Sequence, residues 1–264
     1  MLYSRKLMKI FKKKFFIFKN LIKQNKKFYD YIGKFIVKIK EFNMLIKLFF
    51  SDVKYLKPLE LKKKYKSQYG QDYYLERLGF IKRNNFYIEV GSNHPIINSN
   101  SFYFEKYLNC TGISIDAIDF SLEYKKYRPN TKFIHGLVDK KRGFRKFYHT
   151  YDLTGWENQL SSVTTKIIKN VPNLKFRVKK IKTFPLKEIL NKKKINVLMI
   201  DVEGHELNVI KSINLKKCKP EVILIENNGH FFPRKKLQDH MINNGYKLYA
   251  RIGITDDLYI KENQ

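Results

Sequence analysis

The sequence predicts an α/β fold: a mostly parallel sheet finished by a C-terminal antiparallel pair, with a basic helical extension in front. Three observations predict it. Short apolar runs alternate with helix-like stretches from Phe86 onward, five of those runs end in an acidic residue, and residues 1–66 differ from the rest in charge and periodicity.

The elements follow in order. Phe86 to Val90 forms the first strand and runs into Gly91, with a helix from about Ser99 to Leu108 behind it. Thr111 to Ile115 forms the second strand, ending at Asp116, and Ser121 to Tyr127 a helix stopped by Pro129. Phe133 to Val138 reads as the third strand, ending at Asp139. Residues 140–191 are less regular, with one strand around Val178 to Thr183 and a short helix at Leu186 to Leu190. Ile195 to Ile200 and Val222 to Ile225 are further strands, ending at Asp201 and Glu226, each followed by a helix. Tyr246 to Ile252 and Leu258 to Ile260 make the closing pair. Continuous apolar strands alternating with helices imply a parallel sheet covered on both faces.

The 264 residues suffice for one substantial domain plus an extension, which we divide at residues 1–66 and 67–264. The net charge is +30, and residues 1–66 carry 20 Lys and Arg against only Asp30, Glu41, Asp52 and Glu60. In the extension, Leu7, Phe11, Phe15, Phe18, Ile22, Tyr29, Ile32, Ile36, Ile39, Ile46 and Phe50 recur at helical steps, with Gly33 and Pro58 as candidate breaks. An apolar stripe flanked by lysines suits an anionic membrane surface. Packing on the main domain or on a partner chain is the plainer alternative. Cys110 and Cys218 lack metal-type spacing and read as reduced thiols. The sequence predicts no signal peptide and no transmembrane helix. The expectation is a cytoplasmic protein, held peripherally at a membrane if the arm binds one.

In such sheets, ligands bind beyond the carboxyl ends of the strands. Those ends carry Glu89, Asp116, Asp139, Asp201 and Glu226. Converging carboxylates repel one another, so a purely structural sheet has no use for them. The turn Glu89-Val90-Gly91-Ser92-Asn93 has one glycine where dinucleotide folds have three, and no P-loop lysine follows. An acidic turn suits a cationic, phosphate-free cofactor such as S-adenosylmethionine. Asp116 stands where an acid takes ribose hydroxyls, and Asp139 where a side chain could meet the adenine ring. Another nucleotide-binding enzyme, or ordinary loop acids, remain the alternatives at this level.

The segments Ser67-Gln68-Tyr69-Gly70-Gln71-Asp72, Phe86 to Pro95, Ile115-Asp116, Asp201-Val202-Glu203-Gly204-His205-Glu206 and Pro220 to Glu226 resemble the FkbM family of methyltransferases, over about residues 67–250. The resemblance implies a Rossmann-like methyltransferase sheet that binds S-adenosylmethionine and methylates hydroxyls of sugars or small metabolites. It places Glu89, Gly91, Ser92 and Asn93 at the methionine end of the cofactor and Asp116 at its ribose. Glu89 replaces a frequent Asp, and His94-Pro95 stand where many members have a further glycine.

Methyl transfer to a hydroxyl needs in-line alignment and removal of a proton. Asp201, Glu203 and His205 are the candidate catalytic residues. His205 suits a general base by its ordinary pKa of ~6.5, with a structural role at the helix start as the alternative. Glu206 favours the positive end of that helix. Asp201, Glu226 and Asn227 form a secondary candidate for a divalent metal, by analogy with catechol O-methyltransferase. The expected partner is a hydroxyl-bearing small molecule or glycan. Nucleic acid is less favoured, because no Asn/Asp-Pro-Pro-aromatic motif for an extruded base is present, although ribose methylation needs none. A non-catalytic, membrane-associated binding protein retaining the fold is the third class.

Overall fold

Apolar residues of the central strands alternate between two cores, and this alternation sets the fold. The computed structural model describes residues 26–61, 63–151, 157–166, 174–190 and 194–262, and the chain divides into two units, 1–50 and 51–264. The apolar positions Leu7 to Ile22 and the lone Trp156 lie outside the described residues.

The first unit contains helix α1 (Lys26–Phe49), which runs through Gly33 without a break. Phe35, Ile39, Phe42, Ile46 and Phe49 recur on it at steps of three and four, and all are exposed. Among the described residues, no helix is long and apolar enough to cross a membrane.

The second unit comprises, in chain order, β1 (Lys54–Leu56), α2 (Gln71–Arg77), β2 (Phe86–Val90), α3 (Phe102–Leu108), β3 (Thr111–Asp116), α4 (Ser121–Tyr127), β4 (Thr131–His135), β5 (Leu137–Val138), β6 (Gly143–Tyr151), β7 (Lys175–Phe184), β8 (Val197–Ile200), α5 (Glu206–Ile210), α6 (Leu215–Cys218), β9 (Val222–Glu226), α7 (Arg234–Ile242), β10 (Tyr246–Ile252) and β11 (Asp256–Lys261). Eight strands form one sheet in the order β1-β10-β11-β9-β8-β2-β3-β4. β9, β8, β2, β3 and β4 are parallel, and β11 runs antiparallel to β9 and β10. This is the mostly parallel, Rossmann-like sheet with a closing antiparallel pair that the sequence predicts.

On one face Ile88, Leu198, Ile200, Ile223 and Ile225 pack with Val209, Leu237 and Met241 of the covering helices. On the other, Tyr87, Val197, Met199 and Leu224 meet Leu75, Tyr103 and Phe104.

Two features depart from the sequence reading. Residues 51–66, grouped there with the extension, fall in the second unit, where β1 pairs in parallel with β10 and extends the main sheet. The third parallel strand also ends earlier than expected, at His135 rather than Asp139. Beyond Gly136 the chain enters β5, which belongs to a separate three-stranded sheet, β5-β7-β6. The lysine-rich stretch, expected to hold a single strand around Val178 to Thr183, supplies two, β6 and the longer β7, paired as a nine-rung antiparallel ribbon. Its charged residues obscure the strand period that Phe147 and Ile181 keep on its buried face.

Candidate functional site

The direction of sheet growth reverses at β2. β3 and β4 lie on one side of it, and β8 and β9 on the other. Strand ends diverge at such a point and leave a crevice. A cleft of ≈ 900 Å³, open to solvent, lies there. Glu89, Gly91, Ser92, Asn93, Asp116, Asp201, Glu203 and His205 all line it, together with Ile118, Leu137, Val138 and Phe147.

The glycine turn is held by backbone bonds. Gly91 N–H donates to Ile115 O at 2.9 Å, and Asp201 N–H donates to Val90 O at 2.9 Å. Gly91 has φ +82°, and a Cβ there would meet the Asp201 carbonyl oxygen. Glycine is therefore demanded by the contact between two strand ends, not only by approach to a ligand. Asn93 and Ile118 N–H groups donate to the two oxygens of Asp116, at 2.7 and 2.8 Å. Each oxygen keeps a lone pair for another donor. Burial pushes the Asp116 carboxyl up to about 6.

Behind the turn, Glu89 accepts from Ser101 Oγ, and burial raises its carboxyl to about 7. Arg128, almost wholly buried, gathers the loop around it. Its guanidinium donates to Glu105, Pro95 O, Ser99 Oγ, Ser101 O and Tyr87 Oη. His94 caps the same loop: its Nδ1 accepts from Ile96 and Ile97 N–H, both at 3.1 Å. The His94-Pro95 departure thus builds a ring-capped turn in place of a glycine turn. Arg128 carries no motif signal and was missed from sequence.

Asp139 does not line the cleft. It follows β5 in the smaller sheet, where Arg145 binds its carboxylate and His205 Nε2 lies 3.5 Å away. In its place the cleft wall beside Asp116 is formed by Ile118, Leu137, Val138 and Phe147, apolar residues without a charge to mark them. His205 is nearly buried, and burial lowers its pKa, opposed by Asp139. Asn208 Nδ2, which can only donate, lies 3.0 Å from His205 Nδ1. Nδ1 is thus engaged within the protein, while the buried Nε2 faces Asp139 at 3.5 Å without a hydrogen bond.

At the far end of the cleft the carboxylates converge. Oxygens of Asp201, Glu203 and Glu226 lie within 4.8 Å of one another. Asp201 is exposed on the cleft wall, with its carboxyl crowded by protein atoms and other acids. Desolvation by those atoms, then the charge of Glu203 and its neighbours, raises it well above the ordinary carboxyl range. Burial and the charges of Glu206 and Asp256 push Glu203 up to about 8. Glu206 accepts from Val202 and Gly204 N–H and so anchors the turn that presents Glu203. Gln71 donates to Asp256, and Asp72 accepts from Lys66 and Ser67 N–H. The Gln68 to Asp72 segment is thereby fastened beside this corner, with Tyr69 near enough to feel its charge. Asn227 turns its amide to Asp257 instead. Glu203 joins Asp201 and Glu226 in an oxygen-rich trio of a kind suited to a hard cation.

The family model described as the methyltransferase FkbM domain matches residues 89–248, more than half of the chain. The chain belongs to this family. No curated protein matches it. The matched span runs from the buried acid of β2 to the middle of β10, so it takes in the whole cleft. Within this FkbM domain the β5-β7-β6 sheet is inserted between β4 and β8. The short helix Glu157–Leu160 and its neighbours Ser161 and Ser162 tie that insertion to the acid corner. Ser162 bridges Tyr148, and its hydroxyl donates to Glu203 O at 2.6 Å.

Proposed function

We propose that the protein transfers a methyl group from S-adenosylmethionine to a hydroxyl of a sugar, glycan or small metabolite. The observation that carries this reading is the division of the cleft into two ends. One pairs the Asp116 carboxylate with apolar Ile118, Leu137 and Phe147, and the other gathers Asp201, Glu203 and Glu226.

The residues fit the cofactor. Asp116 has acceptor capacity for ribose hydroxyls, and the apolar residues beside it suit an adenine ring. Glu89, Gly91, Ser92 and Asn93 suit the methionine end, where the buried Ser92 Oγ has no protein partner. No lysine or arginine lines this cleft among the described residues, which suits a phosphate-free, cationic cofactor. S-adenosylmethionine supplies a methyl group activated on a sulfonium.

Asp201 and Glu203 would receive the acceptor hydroxyl and take its proton. A carboxylate raised toward neutral pH is a stronger base than an ordinary one. His205 serves here as a positioning residue between Asp139 and Asn208. Isothermal titration with S-adenosylmethionine tests the cofactor half, and absence of binding would overturn it. A mass increase of one methyl on a candidate acceptor pool tests the transfer.

The same reading assigns α1 to an anionic membrane surface. Phe35, Ile39, Phe42, Ile46 and Phe49 would enter the interface while Lys34, Lys38 and Lys47 meet the head groups. Sedimentation of the full chain with anionic but not with neutral vesicles is expected, and equal sedimentation with both would overturn the assignment.

A further inference from the structure

The inserted β6–β7 ribbon has no part in the reading above beyond Phe147. One of its faces packs inward through Phe147 and Ile181, in contact with Ala117 and Leu137. The other carries Phe144, Lys146, Phe176, Val178, Lys180 and Lys182. Phe144, Phe176 and Val178 are 56%, 41% and 53% exposed, and the three lysines are exposed as well. The two strands hold seven Lys and Arg and no acid. Lys180 Nζ lies 4.8 Å from the centre of the Phe144 ring, and the Tyr148 and Phe176 rings meet edge to face at 5.9 Å. Lysines interleaved with exposed rings form a surface for anions that also carry an apolar face.

One edge of the ribbon is tied to the acidic end of the cleft, since Tyr148 bridges Ser162, whose hydroxyl donates to the Glu203 carbonyl. A basic ribbon therefore stands next to an acidic corner. A molecule that spans both must be neutral or cationic where it reacts and anionic at some remove.

We propose that the methyl acceptor is an anionic glycan, a sugar bearing phosphate, sulfate or carboxylate groups away from the hydroxyl methylated, and that the outer face of the β6–β7 ribbon binds its charged part. The proposal rests on hydroxyl methylation as the reaction. Lysines neutralise the anionic groups, and Phe144 and Phe176 cover the apolar faces of sugar rings. RNA fits less well. In a ribose the reacting 2′-hydroxyl neighbours the 3′-phosphate, which would be carried in among Asp201, Glu203 and Glu226 against their charge.

The test titrates the full chain with a short dextran sulfate and with uncharged dextran of the same length. Binding of dextran sulfate alone is expected. It should weaken at least tenfold when Lys146, Lys180 and Lys182 are changed to Ala together, and less than twofold when Lys216, Lys235 and Lys236 on α6 and α7 are changed. Equal losses from the two triple variants would show charge without a site and overturn the proposal. So would tighter binding of single-stranded RNA through the ribbon lysines, or binding of uncharged dextran to the same extent. A parallel titration with S-adenosylmethionine separates the two levels. A wild-type chain that ignores the cofactor removes the methyl-transfer reading and leaves the ribbon result intact, and ribbon variants should bind the cofactor as wild type does.

Discussion

The carbonyl oxygen of Asp201 occupies the place of a side chain on Gly91: a Cβ there would lie 1.6 Å from it. The glycine turn after β2 and the acidic turn after β8 are thus in backbone contact. Gly91→Ala must open that contact and adopt φ near +82°. A destabilisation of about 3 kcal/mol or more is expected. Thermal unfolding of the purified variant measures it, and a wild-type melting curve would show that the turns are not locked together.

Asp116 and Asp139 should separate cleanly. Asp116→Ala removes the acceptor of the Asn93 and Ile118 N–H groups inside the cleft. Its affinity for S-adenosylmethionine should fall at least tenfold, about 1.4 kcal/mol. Asp139→Ala frees Arg145 and His205 outside the cofactor end and should change that affinity less than threefold. Calorimetric titration of both variants decides, and the reverse ranking would restore Asp139 to the cofactor site.

Glu203 gives a pH signature. Its folded pKa, about 8, lies above the ordinary 4.5, so the fold favours the protonated form. This contribution is fully present below pH 4.5, declines as pH rises from there, and is lost as pH passes about 8. Glu203→Gln, which stays neutral, should melt above wild type by a margin that grows from pH 5 to pH 8, reaching at least ~3 °C. A constant margin would show that Glu203 titrates normally.

Turnover should report on Asp201. Asp201→Asn keeps the shape of the acid corner and removes its proton acceptor. Once an acceptor is identified, kcat should fall about 100-fold or more, while S-adenosylmethionine affinity stays within threefold. Loss of affinity with unchanged kcat would move Asp201 to the cofactor side.

Arg128 is the buried hub behind the turn. Arg128→Met leaves Glu105 without its guanidinium partner and frees the loop at Pro95, Ser99 and Ser101. Stranding a buried charge costs about 3–5 kcal/mol. Denaturant unfolding gives the value, and a loss below ~1 kcal/mol would show that the network relaxes around the gap.

The parallel strands were legible because burial on both faces leaves uninterrupted runs such as Val222 to Ile225 and Val197 to Ile200. The acids after them were legible because a carboxylate ending an apolar run has few other reasons to be there. Asp139 misled for the same reason. Phe133 to Val138 reads as one continuous strand, and nothing local shows that the chain changes sheets at Gly136. Arg128 and Asn208 were invisible because each acts through partners distant in sequence or on the hidden side of a helix, so periodicity places them among ordinary polar residues. The apolar wall of the cleft, Ile118, Leu137 and Phe147, carries no signal in the sequence because ligand-facing walls and cores use the same side chains.

The change of sheets after His135 makes the basic ribbon a detachable module. Its strands hydrogen-bond among themselves and to none of the eight in the main sheet. A ribbon of different length or charge can be exchanged between Gly136 and Leu186 without re-registering a single central strand.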